Sequence, residues 1–236
     1  LLFAESLLGN ALGPFSGTVE IDANATAQFR RARQLASEAV TLGADVSRAN
    51  AVIGTSYLVE RDVTPGIEAL QHAREARPAR YDVALSLYAL LVRGGESEAA
   101  DRLFNEISLR ARTPQTIFAS RAVYVREQLA LTNRLLAESR FDDAIAILQH
   151  LIDVTTDPAA KMDLQRQLMR VRDTGEANRQ IMTYNQAIEA ANRGDTRKAL
   201  EILDRLLETA TDPSVIRDAT DFRALLRKRL KGMRRS

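Results

Sequence analysis

Residues 49–78 read ANAVIGTSYLVERDVTPGIEALQHAREARP. Two antiparallel helices approach closely only where small side chains meet at their crossing. Gly54 and Gly66 stand where such a crossing would fall, one in each half of the stretch. Thr64-Pro65 offers an N-cap followed by a proline at the first helical position. Pro78 ends the segment. The stretch therefore predicts a helical hairpin. Ile53, Gly54 and Tyr57 fall on its first helix, and Gly66, Leu70 and Ala73 on its second.

The same offsets recur on either side. Downstream, Leu87, Leu91, Ala100, Phe104 and Ile107 take them in YDVALSLYALLVRGGESEAADRLFNEI. There Gly94-Gly95 is expected to stop the first helix and Ser97 to cap the second. Upstream, Ala32, Ala36 and Ala39 take them in AQFRRARQLASEAVTLGAD. Leu8, Gly9 and Leu12 of LLGNAL stand as the partner helix, across an enlarged loop at residues 13–24. The spacing and the residue types resemble the tetratricopeptide repeat, a 34-residue helical hairpin with the pattern W-x2-L-G-x2-Y, then A-x3-F-x2-A-x4-P. The departures are Asn50 at the tryptophan position and Tyr88 where the next copy should carry a small residue.

Beyond residue 112 the period lengthens. FDDAIAILQHLIDVTTDP and TRKALEILDRLLETATDP align at an offset of 55: Ala144 with Ala199, Ile147 with Ile202, Leu148 with Leu203, Leu151 with Leu206, and Thr156-Asp157-Pro158 with Thr211-Asp212-Pro213. Asp-Pro reads as a helix start, a carboxylate cap and then proline in the first turn. Long helices are expected at 114–139, 158–192 and 213–231, with short ones at 142–155 and 196–209. Gly175 is the expected break in the second long helix.

The resemblance implies an all-α fold: a right-handed α–α superhelix of antiparallel hairpins, with longer helices in the C-terminal half. One solenoid is expected over residues 1–236. It comprises a degenerate repeat at 1–45, two 34-residue units at 46–112, and two longer 55-residue units at 113–236 that close on a basic helix. Composition agrees with helix. Ala, Leu, Arg and Glu dominate, all helix formers, and period-two apolar runs are missing.

Cysteine is absent, which excludes disulfides and thiolate chemistry. LLFAESLLGNAL is apolar but too short to span a bilayer. It has no basic leader, so it reads as a helix and not as a signal peptide. The opening Leu suggests a processed or excised piece. The chain reads as soluble, and no compartment follows from the sequence. Only a small minority of the basic residues are lysine, which reads as GC-rich bacterial coding.

The formal charge is +2, but residues 223–236, RALLRKRLKGMRRS, carry seven Arg or Lys and no acid. Residues 1–222 are left mildly acidic. Three readings of this basic tail stand side by side. It could match the negative end of a final helix and close the solenoid with a polar cap, bind nucleic acid, or touch an anionic membrane or acidic partner. Arg227, Lys228, Lys231, Arg234 and Arg235 would carry the last two. The body lacks interleaved aromatic and basic residues, which argues against a nucleic-acid groove.

No catalytic signature is present: no H-E-x-x-H, Walker loop, G-x-S-x-G or G-x-G-x-x-G. His72 and His150 fall in different repeats and read as helix-surface residues. No catalytic residue, metal ligand or cofactor is expected. The resemblance instead implies a concave face lined by the first helix of each hairpin, a trough for an extended peptide or a helix. Its offsets carry over to Arg48, Ala51, Thr55 and Leu58, then Asp82, Leu85 and Ala89. In the longer-period half they fall on Arg126, Leu129, Asn133, Tyr184, Ile188 and Asn192. A clamp for a terminal carboxylate, which some tetratricopeptide domains build from Lys and Asn, is not supported, because Ala51, Thr55, Leu85 and Ser86 hold those positions. The expected role is a non-catalytic module or scaffold binding a peptide, a protein partner or another domain of its parent chain. The alternative is a C-terminal appendage of a larger enzyme, for example a peptidase, with the catalytic domain before Leu1.

Overall fold

The computed structural model describes residues 1–12 and 23–233. The expected loop at 13–24 lies largely outside them, as do Arg234 and Arg235. Among the described residues the chain is all-helical, with no strand. The helices are α1 (Leu2–Leu12), α2 (Ala23–Thr41), α3 (Val46–Thr55), α4 (Thr64–Ala76), α5 (Tyr81–Gly94), α6 (Ser97–Arg110), α7 (Pro114–Ala137), α8 (Phe141–Val154), α9 (Pro158–Asn192), α10 (Thr196–Thr209) and α11 (Pro213–Met233). A short 3-10 turn, Ser56–Val59, extends α3. The chain divides into two compact units, Leu1–Arg134 and Leu135–Ser236.

In the first unit each helix packs on its neighbour in sequence from α1 to α6. The α3–α4 crossing is closed by the two glycines. A Cβ built on Gly54 would stand 2.4 Å from Leu70 Cγ and 2.8 Å from the Gly66 carbonyl oxygen. One built on Gly66 would meet Tyr57 Cβ at 2.5 Å. Leu70 and Ala73 are fully buried beside them. In the next hairpin, Tyr88 stands where the spacing predicts a small residue, and it too is fully buried. Space for its ring is made by Phe104 and Tyr124, at centroid separations of 5.3 and 6.2 Å. Its hydroxyl accepts a hydrogen bond from Gln128 Nε2 at 3.2 Å, so the buried polar atom is satisfied. Burial pushes that hydroxyl's pKa upward, against the opposing pull of the Gln128 bond.

Several helix ends follow the expected chemistry and others correct it. Gly95 ends α5 at φ +79°, with Glu96 N–H returning to the Leu91 carbonyl at 2.9 Å, the left-handed cap that glycine favours. Asp157 caps α9 by accepting from Ala160 N at 2.8 Å, and Asp212 does the same for Val215 N at 3.2 Å. Thr64 and Ser97 do not cap. Each is the first residue of its helix, following Val63 and Glu96, neither of which makes a side-chain cap bond. At α4 it is the Asp62 carboxylate, two residues upstream, that accepts from Thr64 N at 3.1 Å.

In the second unit α9 packs on α8, α10 and α11. The offset of 55 is visible as burial: Ala144 and Ala199, Leu148 and Leu203, and Leu151 and Leu206 are buried alike. Gly175 does not break α9, which runs unbroken over 35 residues. A Cβ there would press on Phe141 Cβ at 3.0 Å, so this glycine admits α8 close against α9 instead of ending the helix. Farther along α9, buried Gln180 holds the turn into α11. Its Oε1 accepts from Thr211 N and Asp212 N, both at 3.1 Å, and its Nε2 donates to Thr211 Oγ1 at 3.0 Å.

Candidate functional site

The first unit contains a cavity of about 650 Å³. Its wall is built by α1, α3 with its 3-10 extension, α5 and α7; none of its lining residues comes from α2, α4 or α6. Helical spacing explains the selection. Ala119, Val123 and Arg126 recur at every three or four residues on one face of α7, as do Asp82, Leu85, Ser86 and Ala89 on α5. From α3 and its extension come Ala51, Val52, Thr55 and Leu58. Half of the lining side chains are aliphatic, and Thr55, Ser86 and Tyr81 add hydroxyls. The Tyr81 hydroxyl donates to the Thr116 carbonyl at 2.7 Å, tying α5 to α7 at the cavity's edge.

Charge enters as matched pairs. Glu5 of α1 lines the cavity and receives Arg48 in two bonds, Nε to Oε1 at 3.0 Å and Nη2 to Oε2 at 2.6 Å. Arg80 does the same to Asp82, at 3.2 and 2.5 Å. The third group is the most buried. Glu127 is fully inaccessible and takes two guanidiniums, Arg93 Nε at 2.9 Å and Arg126 Nη2 at 2.7 Å. Arg93 also donates to the Leu58 carbonyl, and Arg134 donates to the Arg93 carbonyl at 2.9 Å. A charge so deeply buried persists only when it is paired and hydrogen-bonded. The network therefore fixes α3, α5 and α7 around the cavity.

The expected groove residues divide between the units. Thr55, Leu58, Leu85 and Arg126 line one cavity, together with Ala51, Asp82 and Ala89. Arg48 reaches it only through Glu5. Asn133 is exposed on α7 and does not line it. Tyr184, Ile188 and Asn192 are in the second unit, on α9. Tyr184 is committed to packing: it meets Phe222 edge-on at 6.1 Å against that unit's core. Ile188 is half-buried, and Asn192 is exposed at the end of α9. In the basic tail, Arg227 binds Asp204 at 3.1 Å, whereas Lys228 and Lys231 are exposed on α11.

Sequence reasoning misses Glu5, Arg80, Tyr81, Val123 and the Glu127 network. A signal for the network exists, since Arg93 and Glu127 are separated by 34 positions, the period of the hairpin pattern. A second arginine cluster lies outside the cavity. Glu60 accepts from Arg30 and Arg33 and is held at a pKa of about 2 by those bonds, while Arg33 lies 4.3 Å from the centre of the Tyr57 ring. His72 and His150 are exposed. Among the described residues no group of three or more His, Cys, Asp or Glu side chains is placed to hold a metal ion, and no helix is long and apolar enough to cross a membrane. Comparison with protein-family models, curated proteins and solved structures finds no match to this chain.

Proposed function

We propose that the first unit is a non-catalytic binding module whose odd-numbered helices form the receiving face for a protein segment. In this reading its helix pairs are tetratricopeptide-like hairpins wound as a right-handed superhelix. The carrying observation is the origin of the cavity wall: every lining residue comes from α1, the α3 region, the α5 region or α7. A cavity lined by aliphatic side chains, with hydroxyls and paired charges among them, suits the apolar face of a helix or the side chains of an extended peptide. The size supports this too, since about 650 Å³ falls in the range of about 300–1,000 Å³ common for binding pockets.

The chemistry of the wall supports a binding role over a catalytic one. Its carboxylates, Glu5 and Asp82, are each held in a two-point ion pair with arginine. Thr55, Ser86 and Tyr81 have no histidine in the wall to act as a base. General acid–base or nucleophilic catalysis needs such a partner within hydrogen-bond reach.

The test starts from amphipathic helical peptides selected on phage against the full chain. Ser86 is half-buried in the cavity wall, so Ser86→Trp fills the space without removing a core side chain. The expected result is a loss of peptide affinity of roughly tenfold or more, the scale of one hot-spot contact, with helical circular dichroism retained. Leu109→Glu, at an exposed site outside the cavity, should leave affinity unchanged. Peptides that bind Ser86→Trp as tightly as the parent chain would refute the groove.

A further inference from the structure

The last helix carries a second surface, independent of the groove. Arg217, near the start of α11, pairs with Asp218 at 3.1 Å, and the structure sorts the described cations from Arg223 onward into two sets. Arg223 and Arg227 both turn onto Asp204 of α10, at 3.0 and 3.1 Å, and fasten α11 to its neighbour. Lys228, Arg229 and Lys231 are exposed, and among the described residues no acid pairs with them. No acidic residue follows Asp221 in the chain. Leu225 stands one turn before Lys228 and Arg229 on the same face of the helix and is 61% exposed. A different, apolar face is already used: Val215, Ala219 and Leu226 are buried in the core of the second unit.

We propose that this outward face of α11 docks on the surface of an anionic lipid bilayer. Helix-dipole complementarity accounts for cations in the last turn, but it does not require an exposed leucine among them. Lys228, Arg229 and Lys231 match a field of lipid phosphates in charge, and Leu225 is placed to enter the interface beneath the headgroups. Nucleic acid is the less suitable polyanion. Phe222, the one ring on α11, is half-buried and packs edge-on with Tyr184 against the unit's core, so α11 presents no fully exposed ring for a base to stack on. The packed apolar face also limits the contact to the surface, because α11 has no second apolar stripe to insert.

The experiment is co-sedimentation of the full chain with vesicles of phosphatidylcholine alone and of phosphatidylcholine doped with phosphatidylglycerol. Binding is expected only to the doped vesicles, and it should weaken as salt shortens the Debye length to about 10 Å at 0.1 M and below beyond that. The triple variant Lys228→Ala, Arg229→Ala, Lys231→Ala should lose about 100-fold in partition coefficient, at roughly fivefold per cation. Lys228→Arg with Lys231→Arg should retain binding, and Leu225→Ala should lower it at unchanged charge. Unaltered circular dichroism in each variant confirms that the fold is kept. Equal binding to neutral vesicles, or no change in the triple variant, overturns the proposal. So does displacement from vesicles by inorganic phosphate at the ionic strength where sodium chloride has no effect, which would indicate a single-phosphate site. Tighter binding to an RNA oligomer than to the doped vesicles, lost in the same triple variant, would make nucleic acid the occupant and overturn the lipid assignment.

Discussion

Ser139 carries a backbone conformation that its neighbours in the same role assign to glycine. It is the one non-glycine residue among those described with positive φ, at +59°. Its counterpart 55 positions on is Gly194, at +87°. Both end a long helix with the same bonds: Arg140 N–H returns to the Leu135 carbonyl at 2.8 Å, and Asp195 N–H to the Ala190 carbonyl at 3.0 Å. Gly95 ends α5 in the same way. A side chain in the left-handed region costs about 1–2 kcal/mol. Glycine avoids that cost but loses more backbone entropy on folding. Ser139→Gly should therefore stabilise the protein by a net few tenths to about 1 kcal/mol, read as a higher urea midpoint at unchanged m-value. Ser139 is exposed, so little opposes the gain.

Among the elements, the α3–α4 crossing is where sequence and packing agree most closely. Alanine is the better helix former by about 1 kcal/mol, so Gly54→Ala would stabilise an isolated α3. In the folded unit the new Cβ would lie 2.8 Å from the Gly66 carbonyl, a backbone atom that moves only if α4 moves. Overpacking of this kind costs about 1–3 kcal/mol. Net destabilisation of up to about 2 kcal/mol is expected from these opposing effects, and thermal unfolding followed by circular dichroism would measure it. This crossing is legible because two glycines at hairpin spacing, each weakening its own helix, make physical sense chiefly where two backbones must touch. The long helices are legible too, and α9 and α10 begin and end where Asp-Pro and periodicity place them. Gly175 reads wrongly as a break because its use depends on Phe141, which arrives from another helix. Thr64 and Ser97 read wrongly as caps because their residue type is right and only the start of the helix, one position earlier, shows otherwise. On α7 and α5 the cavity face follows from register, so Arg126, Leu85 and Asp82 are legible. Glu127, one residue from Arg126, is not: nothing local marks a glutamate as buried, and its partner Arg93 lies 34 positions away.

At the scale of the whole molecule, the two units carry separate apolar cores. The larger, in the first unit, includes Leu70, Tyr88, Leu90 and Ile107; the core on α9, α10 and α11 includes Ala187, Leu203 and Leu226. Chains built of helix pairs with mainly neighbour contacts approach a sum of local stabilities, and their unfolding loses two-state character as the array lengthens. The tyrosines make this measurable. Tyr57, Tyr81, Tyr88 and Tyr124 are in the first unit, only Tyr184 is in the second, and there is no tryptophan to obscure them. Tyrosine fluorescence therefore follows chiefly the first unit, whereas circular dichroism at the helical band follows both. Leu203 is fully buried on α10, and Leu203→Ala should cost about 2–5 kcal/mol through lost burial and the cavity left behind. In urea, that variant should shift part of the circular-dichroism transition to lower denaturant and leave the tyrosine transition near its original midpoint. If both signals move together by the same amount, the two cores unfold as one cooperative block, and the independence argued from their separate residue sets is wrong. Leu70→Ala, in the first unit's core, should do the converse: it should move the tyrosine transition to lower urea and leave part of the circular-dichroism transition in place.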